Sequence, residues 1–108
     1  MGTALDDLRA FPPDERNEAG YQLEKVQAGE EPSDWKPMPS VGPGVCELRI
    51  RSGREHRVFY VAKFEEAVYV LHAFENKSQK TPREDIDLGR RRYRLALDRH
   101  RRWLEERE

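Results

Sequence analysis

At 108 residues the chain has room for one domain. Charged side chains make up 38% and apolar ones 36%, so the core must be thin and much of the chain solvated. The formal net charge of -1 gives no basic excess that would mark the whole chain for nucleic acid, and no apolar run approaches the roughly 18 residues of a membrane span.

The chain opens MGTALDDLRAFPPDE. It has acids where a signal peptide carries basic residues and it has no apolar h-region, which points to a cytoplasmic protein. Thr3 and Asp6 form a helix-start pattern, Leu5, Leu8 and Phe11 follow at helical spacing, and Pro12-Pro13 stops the run. A second helix fits Pro13 to Ala28, with Ala19, Leu23 and Val26 as its apolar stripe and Gly29 just past its end. Residues 1–28 thus predict a helical hairpin.

Residues 29–44 are rich in proline and glycine and read as a loop, which Trp35, Met38 and Val41 would pack on the body. The period then changes to two. Cys46, Leu48 and Ile50 alternate with Glu47, Arg49 and Arg51, the pattern of a half-buried strand. Ser52-Gly53 predicts a turn, and the β-branched and aromatic runs 57–64 and 67–74 predict two more strands. Residues 45–74 then form a three-stranded antiparallel meander. Thr81-Pro82-Arg83-Glu84 is a strong helix start, with Thr81 as N-cap and Pro82 as the first helical residue. Tyr93, Leu97, His100 and Leu104 lie on one face of a helix over 82–106. The predicted class is α+β, one domain with helices packed on a small antiparallel sheet.

The charge is not uniform along this order. Residues 1–40 carry -5, residues 41–75 are neutral, and residues 76–108 carry +4. Such a gradient marks either an interaction surface or two solvated helices of different charge habit. Strand parity turns Arg49 and Arg51 away from the Cys46 face, and Arg57 shares a side of its strand with Phe59, Val61 and Lys63. If those sides coincide, Arg49 and Arg57 meet, and a phosphate between them would relieve their repulsion. The competing arrangement pairs Arg49 and Arg51 with Glu47 and Glu55. Lys77 and Lys80, in the loop after the last strand, would add donors at the rim, or else belong to a solvated turn. His72, in phase with Val68, Val70 and Phe74, is either a core histidine or an acid–base group. The arginines of the last helix, Arg91 and Arg94 among them, form a solvated face or a contact surface for a partner or RNA. One cysteine, Cys46, excludes an internal disulfide and a cysteine-cluster zinc site, and His56, His72 and His100 lack compact metal spacing, so no metal or cofactor is expected.

The string Trp35 to Val45 with Glu47-Leu48-Arg49-Ile50-Arg51, followed by Arg57 to Phe64, Val70-Leu71-His72-Ala73-Phe74 and Lys77 to Pro82, resembles the phage-derived Gp49-like, HigB-type toxins of the RelE superfamily. The likeness runs from about Leu5 to Tyr93. It implies a microbial RNase fold, a type II toxin–antitoxin toxin that cleaves mRNA at the ribosome without a metal, and a helix-turn-helix antitoxin as partner. It leaves room for a homodimer or a toxin–antitoxin hetero-oligomer. Laid on this chain, it places the catalytic set at Arg49, Arg57, Lys77, Lys80 and His72, with attack of a ribose 2′-OH on the adjacent phosphate. Arg51, Lys63, Arg91 and Arg94 are the further candidates for RNA contact. Two departures stand out. Asn76 replaces a lysine of the family's loop pattern, and the usual first strand has no counterpart before Thr3, through either a start placed late or a true loss of that strand. The alternatives are a catalytically silent protein of the same fold that binds only its antitoxin or RNA, and a generic small RNA-binding domain.

Overall fold

A computed structural model describes residues 2–51, 55–77 and 80–107. Its elements are α1 (Ala4–Arg9), α2 (Pro13–Gln27), β1 (Trp35–Pro37), β2 (Val45–Ile50), β3 (His56–Val61), β4 (Tyr69–Glu75) and α3 (Arg83–Glu106). The four strands form one antiparallel sheet in the order β1-β2-β3-β4. The α+β reading holds, and the sheet has one strand more than the meander expected over 45–74. The added strand, β1, hides in the proline-rich segment because it is three residues long, contains Pro37 and lies at the sheet edge, where a missing N–H costs least. The Ser52-Gly53 turn lies outside the described residues.

Both faces of the sheet are covered. On one face Leu48, Ile50, Val58, Tyr60, Val70 and Ala73 pack with Ala4, Phe11, Ala19 and Val26 of the helical hairpin. On the other, Val45, Phe59, Val61 and Leu71 pack with Met38, Val41 and the α3 residues Tyr93 and Ala96. Met38 and Val41 thereby fix the proline-rich loop on the body, as expected. Gly89 completes the α3 contact: a β-carbon there would come within 2.9 Å of the Phe59 ring and 3.0 Å of Val41 Cγ1.

The helix ends show where local sequence is overruled. α2 ends as predicted, with Gly29 at φ +81°, its N–H bonded to Val26 O and the Glu30 N–H bonded to Lys25 O. The two threonine caps do not form. The Thr3 hydroxyl donates to Asp7 Oδ2 (3.0 Å) and accepts from Arg92 Nη2 (2.9 Å). At α3 the N-cap position is Pro82, the helix starts at Arg83, and the Thr81 hydroxyl is used elsewhere. The apolar stripes also shift. Leu5 is exposed and Ala4 takes its place in the core. On α3 the buried line is Gly89, Tyr93 and Ala96, whereas Leu97 and Leu104, expected inside, are exposed.

A register shift between Phe59 and Tyr60 in the β3–β4 pairing matters most for the site. Tyr60 pairs with Val70 but Phe59 pairs with His72, so one residue of β4 is skipped. His72 and Phe74 therefore face α3, while Val70 faces the hairpin. The expected common phase of Val68, Val70, His72 and Phe74 assumed an unbroken alternation, which the bulge breaks.

Candidate functional site

Strand alternation puts Glu47, Arg49, Arg57 and Phe59 on the α3 side of the sheet, and β1 adds Lys36 opposite Glu47. Arg49 and Arg57 are direct cross-strand partners. Their charges do not stand alone. Glu47, wholly buried, accepts from Arg57 Nη1 and, at 3.4 Å, from Arg49 Nε, with Lys36 Nζ at 3.8 Å. Its second oxygen accepts the Thr81 hydroxyl at 2.8 Å. Glu55 accepts from Arg57 Nη2 at 2.8 Å. Arg57 is only 2% exposed, and its Nε is buried with no hydrogen-bond partner. The result is a charged layer in which Lys36, Arg49 and Arg57 share Glu47 and Glu55, and Arg51 also comes within 3.8 Å of Glu55.

The loop after β4 is tied to this layer at both ends. The Asn76 N–H donates to Glu55 O (2.9 Å), and Thr81 reaches Glu47. Lys77 and Lys80 each lie one residue from these tethers, and both are exposed. Asn76, which replaces the family's lysine, is buried. Residues 78 and 79 of this loop lie outside the described residues.

His72 occupies a neighbouring position on the same face. Phe74 is opposite Arg57 and stacks on His72 at 4.6 Å between ring centroids, so one aromatic ring separates the imidazole from the guanidinium. His72 Nε2 is 2.7 Å from Asp85 Oδ1 in the first turn of α3. A carboxylate only accepts, so this contact places a proton on Nε2 and leaves Nδ1 as the lone-pair nitrogen of the neutral ring. Nδ1 is buried and has no hydrogen-bond partner.

The structure thus gathers Arg49, Arg57, Lys77, Lys80 and His72 at one end of one sheet face. It disperses the other candidates. Arg51 lies 3.8 Å from Glu55, and with Arg49 at 3.4 Å from Glu47 this is the pairing that competed with anion binding in the sequence; Arg51 is also held by Asp34 at 3.1 Å, a partner outside that expectation. Lys63 lies six residues beyond Arg57, roughly 20 Å along an extended chain. Its ammonium donates to the Tyr93 hydroxyl (3.1 Å), which donates to Pro43 O (2.9 Å). Arg91 and Arg94 are exposed on α3 and make no ion pair or hydrogen bond among the described residues. Burial pushes the Cys46 thiol up, in line with its place on the hairpin side of the sheet.

Glu47, Glu55, Thr81, Lys36 and Asp85 are the site residues that sequence reasoning did not single out as functional. Two of them, Glu47 and Glu55, stood in the sequence as competing ion-pair partners, and Glu47 has the same strand parity as Arg49, where an acid among cations is their natural counter-ion. Thr81 gave no signal, because its spacing matches a helix cap equally well.

Among the described residues, no group of three His, Cys, Asp or Glu side chains could hold a metal ion, and no helix is long and apolar enough to cross a membrane. No curated protein matches the chain in comparison. The family model for phage-derived Gp49-like proteins matches residues 6–94, which takes in most of α1, all of α2 and the four strands, the tethered basic loop and α3 as far as Arg94. Toxins of toxin–antitoxin systems are associated with this family, and the charged layer on the sheet is compatible with such a role. With the match covering most of its 108 residues, the chain belongs to the phage-derived Gp49-like protein family.

Proposed function

We propose that the chain is the toxin of a type II toxin–antitoxin pair and that it cleaves mRNA on the ribosome. The observation that carries this reading is the cross-strand pair Arg49 and Arg57 with a lysine-bearing loop tethered beside it. Lys36, Arg49, Arg51 and Arg57 over Glu47, Glu55 and Asp34 leave an excess of positive charge before Lys77 and Lys80 are added, and a phosphodiester is the ligand that such a cluster suits.

The reaction is an internal transfer. The ribose 2′-oxygen attacks the adjacent phosphorus, the bond to the 5′-oxygen breaks, and a 2′,3′-cyclic phosphate and a 5′-hydroxyl result. The 2′-proton leaves to a base, and the departing 5′-oxygen takes a proton from an acid. Arg49 and Arg57 stabilise the extra charge on the phosphorane, the electrostatic role that usually contributes most. For this, Glu55, which is partly exposed, releases Arg57 Nη2 to the phosphate, while fully buried Glu47 stays and holds the guanidinium in place. Lys77 and Lys80 neutralise the flanking phosphates. His72, fixed by Asp85 with its proton on Nε2, has Nδ1 free to take a proton once the stacked Phe74 ring moves aside. The antitoxin, of helix-turn-helix type, silences the toxin until it is degraded.

A second reading has its own observation. Arg57 is buried and both of its Nη groups are occupied by carboxylates, which suits a protein that keeps the fold and binds its antitoxin without cutting RNA. Induced expression separates the two. Wild type should arrest growth and leave mRNA fragments, and Arg49→Ala, whose side chain is partly exposed and carries less of the buried layer, should abolish both while the protein stays folded. Normal growth and intact mRNA with wild type would rule out cleavage and leave the binding role.

A further inference from the structure

A cavity of about 650 Å³ opens at the outer edge of β4, between the hairpin and the sheet. It shares the His72 and Phe74 rings with the candidate site, but the charged side chains that line it among the described residues are acidic. Among the described residues, Asp7, Glu15 and Glu75 line it with no lysine or arginine, and so do the rings of Phe11, His56, His72 and Phe74. Its size falls within the usual range for small-molecule sites.

Glu15 is the informative residue. It is the third residue of α2, where a glutamate normally reaches back to the N–H of the N-cap. The N-cap here is Pro12, which has no N–H. Glu15 is nevertheless 94% buried, and it makes no hydrogen bond or ion pair among the described residues. Its carboxylate oxygens are not fully enclosed, so on the cavity wall that Glu15 lines they are open to a partner from outside. Asp7 supplies a second acceptor, already held in place by the Thr3 hydroxyl at 3.0 Å. The Phe11 and His56 rings lie 4.5 Å apart in the cavity lining, and His72 and Phe74 stack at 4.6 Å at the strand edge, so the lining combines aromatic rings with acceptor-only oxygens.

We propose that this cavity binds an organic cation, a guanidinium or ammonium group, with Glu15 and Asp7 as its counter-ions and the aromatic rings as its walls. Carboxylates paired with π-faces favour a cation by charge, by charge-assisted hydrogen bonds and by cation–π attraction. They disfavour a phosphate or a phosphorylated nucleotide, which the Arg49 and Arg57 side of the sheet suits instead. The cation is either an arginine side chain of a partner protein or a free polyamine. The proposal does not depend on RNA cleavage.

The test is a titration of the isotope-labelled full chain, followed by NMR, with N-acetyl-arginine amide, its neutral isostere N-acetyl-citrulline amide, spermidine, and guanosine monophosphate. The arginine amide should shift the amides of Phe11, Glu15 and Ala73, and the citrulline compound should bind about tenfold more weakly, the effect of losing one charge-assisted hydrogen bond. Glu15→Gln should weaken arginine binding by a similar factor without changing the fold. Asp7→Asn, nearer the surface, gives a second reading if the buried change destabilises the chain. Spermidine acting at the same amides identifies the polyamine form of the ligand, and arginine acting alone identifies the side-chain form. Equal binding of arginine and citrulline compounds, or a nucleotide taking their place at these amides, would overturn the proposal.

Discussion

Cutting Arg57 back to alanine would leave the Glu47 carboxylate buried with only Arg49, Lys36 and Thr81 around it, at 3.4, 3.8 and 2.8 Å. Removing one partner of a buried pair typically costs about 3–5 kcal/mol, because the remaining charge keeps its desolvation penalty. Arg49 is different. Its side chain is 22% exposed, so its contact with Glu47 is partly screened, and its loss should cost no more than about 1 kcal/mol. Chemical denaturation should therefore show a large drop in midpoint for Arg57→Ala and a small one for Arg49→Ala. Similar drops for both would mean that Glu47 is not held chiefly by Arg57. The consequence for function is direct: lost activity in Arg57→Ala mixes catalysis with folding, and Arg49→Ala does not. The sequence showed both arginines, but it could not rank them. Burial depends on which strands and helices close over a residue, and parity says only which side it is on.

Among the elements, α3 is the least evenly supported. Its first half is buried through Gly89, Tyr93 and Ala96, whereas Leu97 and Leu104 are exposed. The second half is held by a clamp from the β3–β4 connection. His100 Nδ1 meets Glu66 Oε1 at 2.9 Å, the Phe64 ring stacks on His100 at 4.4 Å, and Glu66 accepts the Tyr69 hydroxyl at 2.7 Å. Burial alone would raise the Glu66 carboxyl, but the bonds from Tyr69 and His100 outweigh it and hold the carboxyl below its ordinary 4.5. A carboxyl lowered on folding stabilises the fold above its unfolded value and loses that contribution as pH falls through the folded one. Tyr69, pushed up to about 12 by burial and then by Glu66, stabilises the fold below its ordinary 10 and loses that contribution only as pH rises through the higher value. Amide exchange should therefore show the turns after His100 losing protection as pH drops below 4.5, while the Gly89–Ala96 turns keep theirs. Glu66→Gln should remove that acid step, and an unchanged acid step would assign it to another carboxyl.

The same element shows why the sequence was legible in outline and misleading in detail. The α2 terminus followed its signal because Gly29 alone decides it. Thr3 and Thr81 matched cap patterns, yet each hydroxyl found a tertiary partner, and a cap competes with such partners on nearly equal energy. The α3 stripe was misjudged because Gly89 and Ala96 carry little apolar signal but allow the close approach that buries them. The β4 bulge left no mark in the alternation of Val70, His72 and Phe74, so the side on which His72 lies needed the pairing with Phe59 to be known.

For the whole molecule, the net charge of -1 and the +4 of residues 76–108 make opposite suggestions about RNA, and the fold decides between them. Much of the C-terminal positive charge lies on α3. One residue advances about 100° around a helix, so Arg91 and Arg94 stand about 160° and 100° from the buried Tyr93. They point away from the sheet face that carries Arg49 and Arg57. A single strand laid at that end of the face meets Arg49, Arg57, Lys77 and Lys80 without touching them. Each phosphate neutralised on single-stranded RNA contributes about -0.7 to the slope of log affinity against log salt. Four contacts give a slope of about -3, and engagement of α3 as well would give one near -4. Binding of a short unstructured RNA, measured over a range of salt, should therefore give the shallow slope, unchanged in an Arg91→Ala, Arg94→Ala double variant and shallower still in Lys77→Ala. A steep slope that the double variant flattens would move RNA to the outer face of α3. It would also separate RNA binding from the charged layer on the sheet.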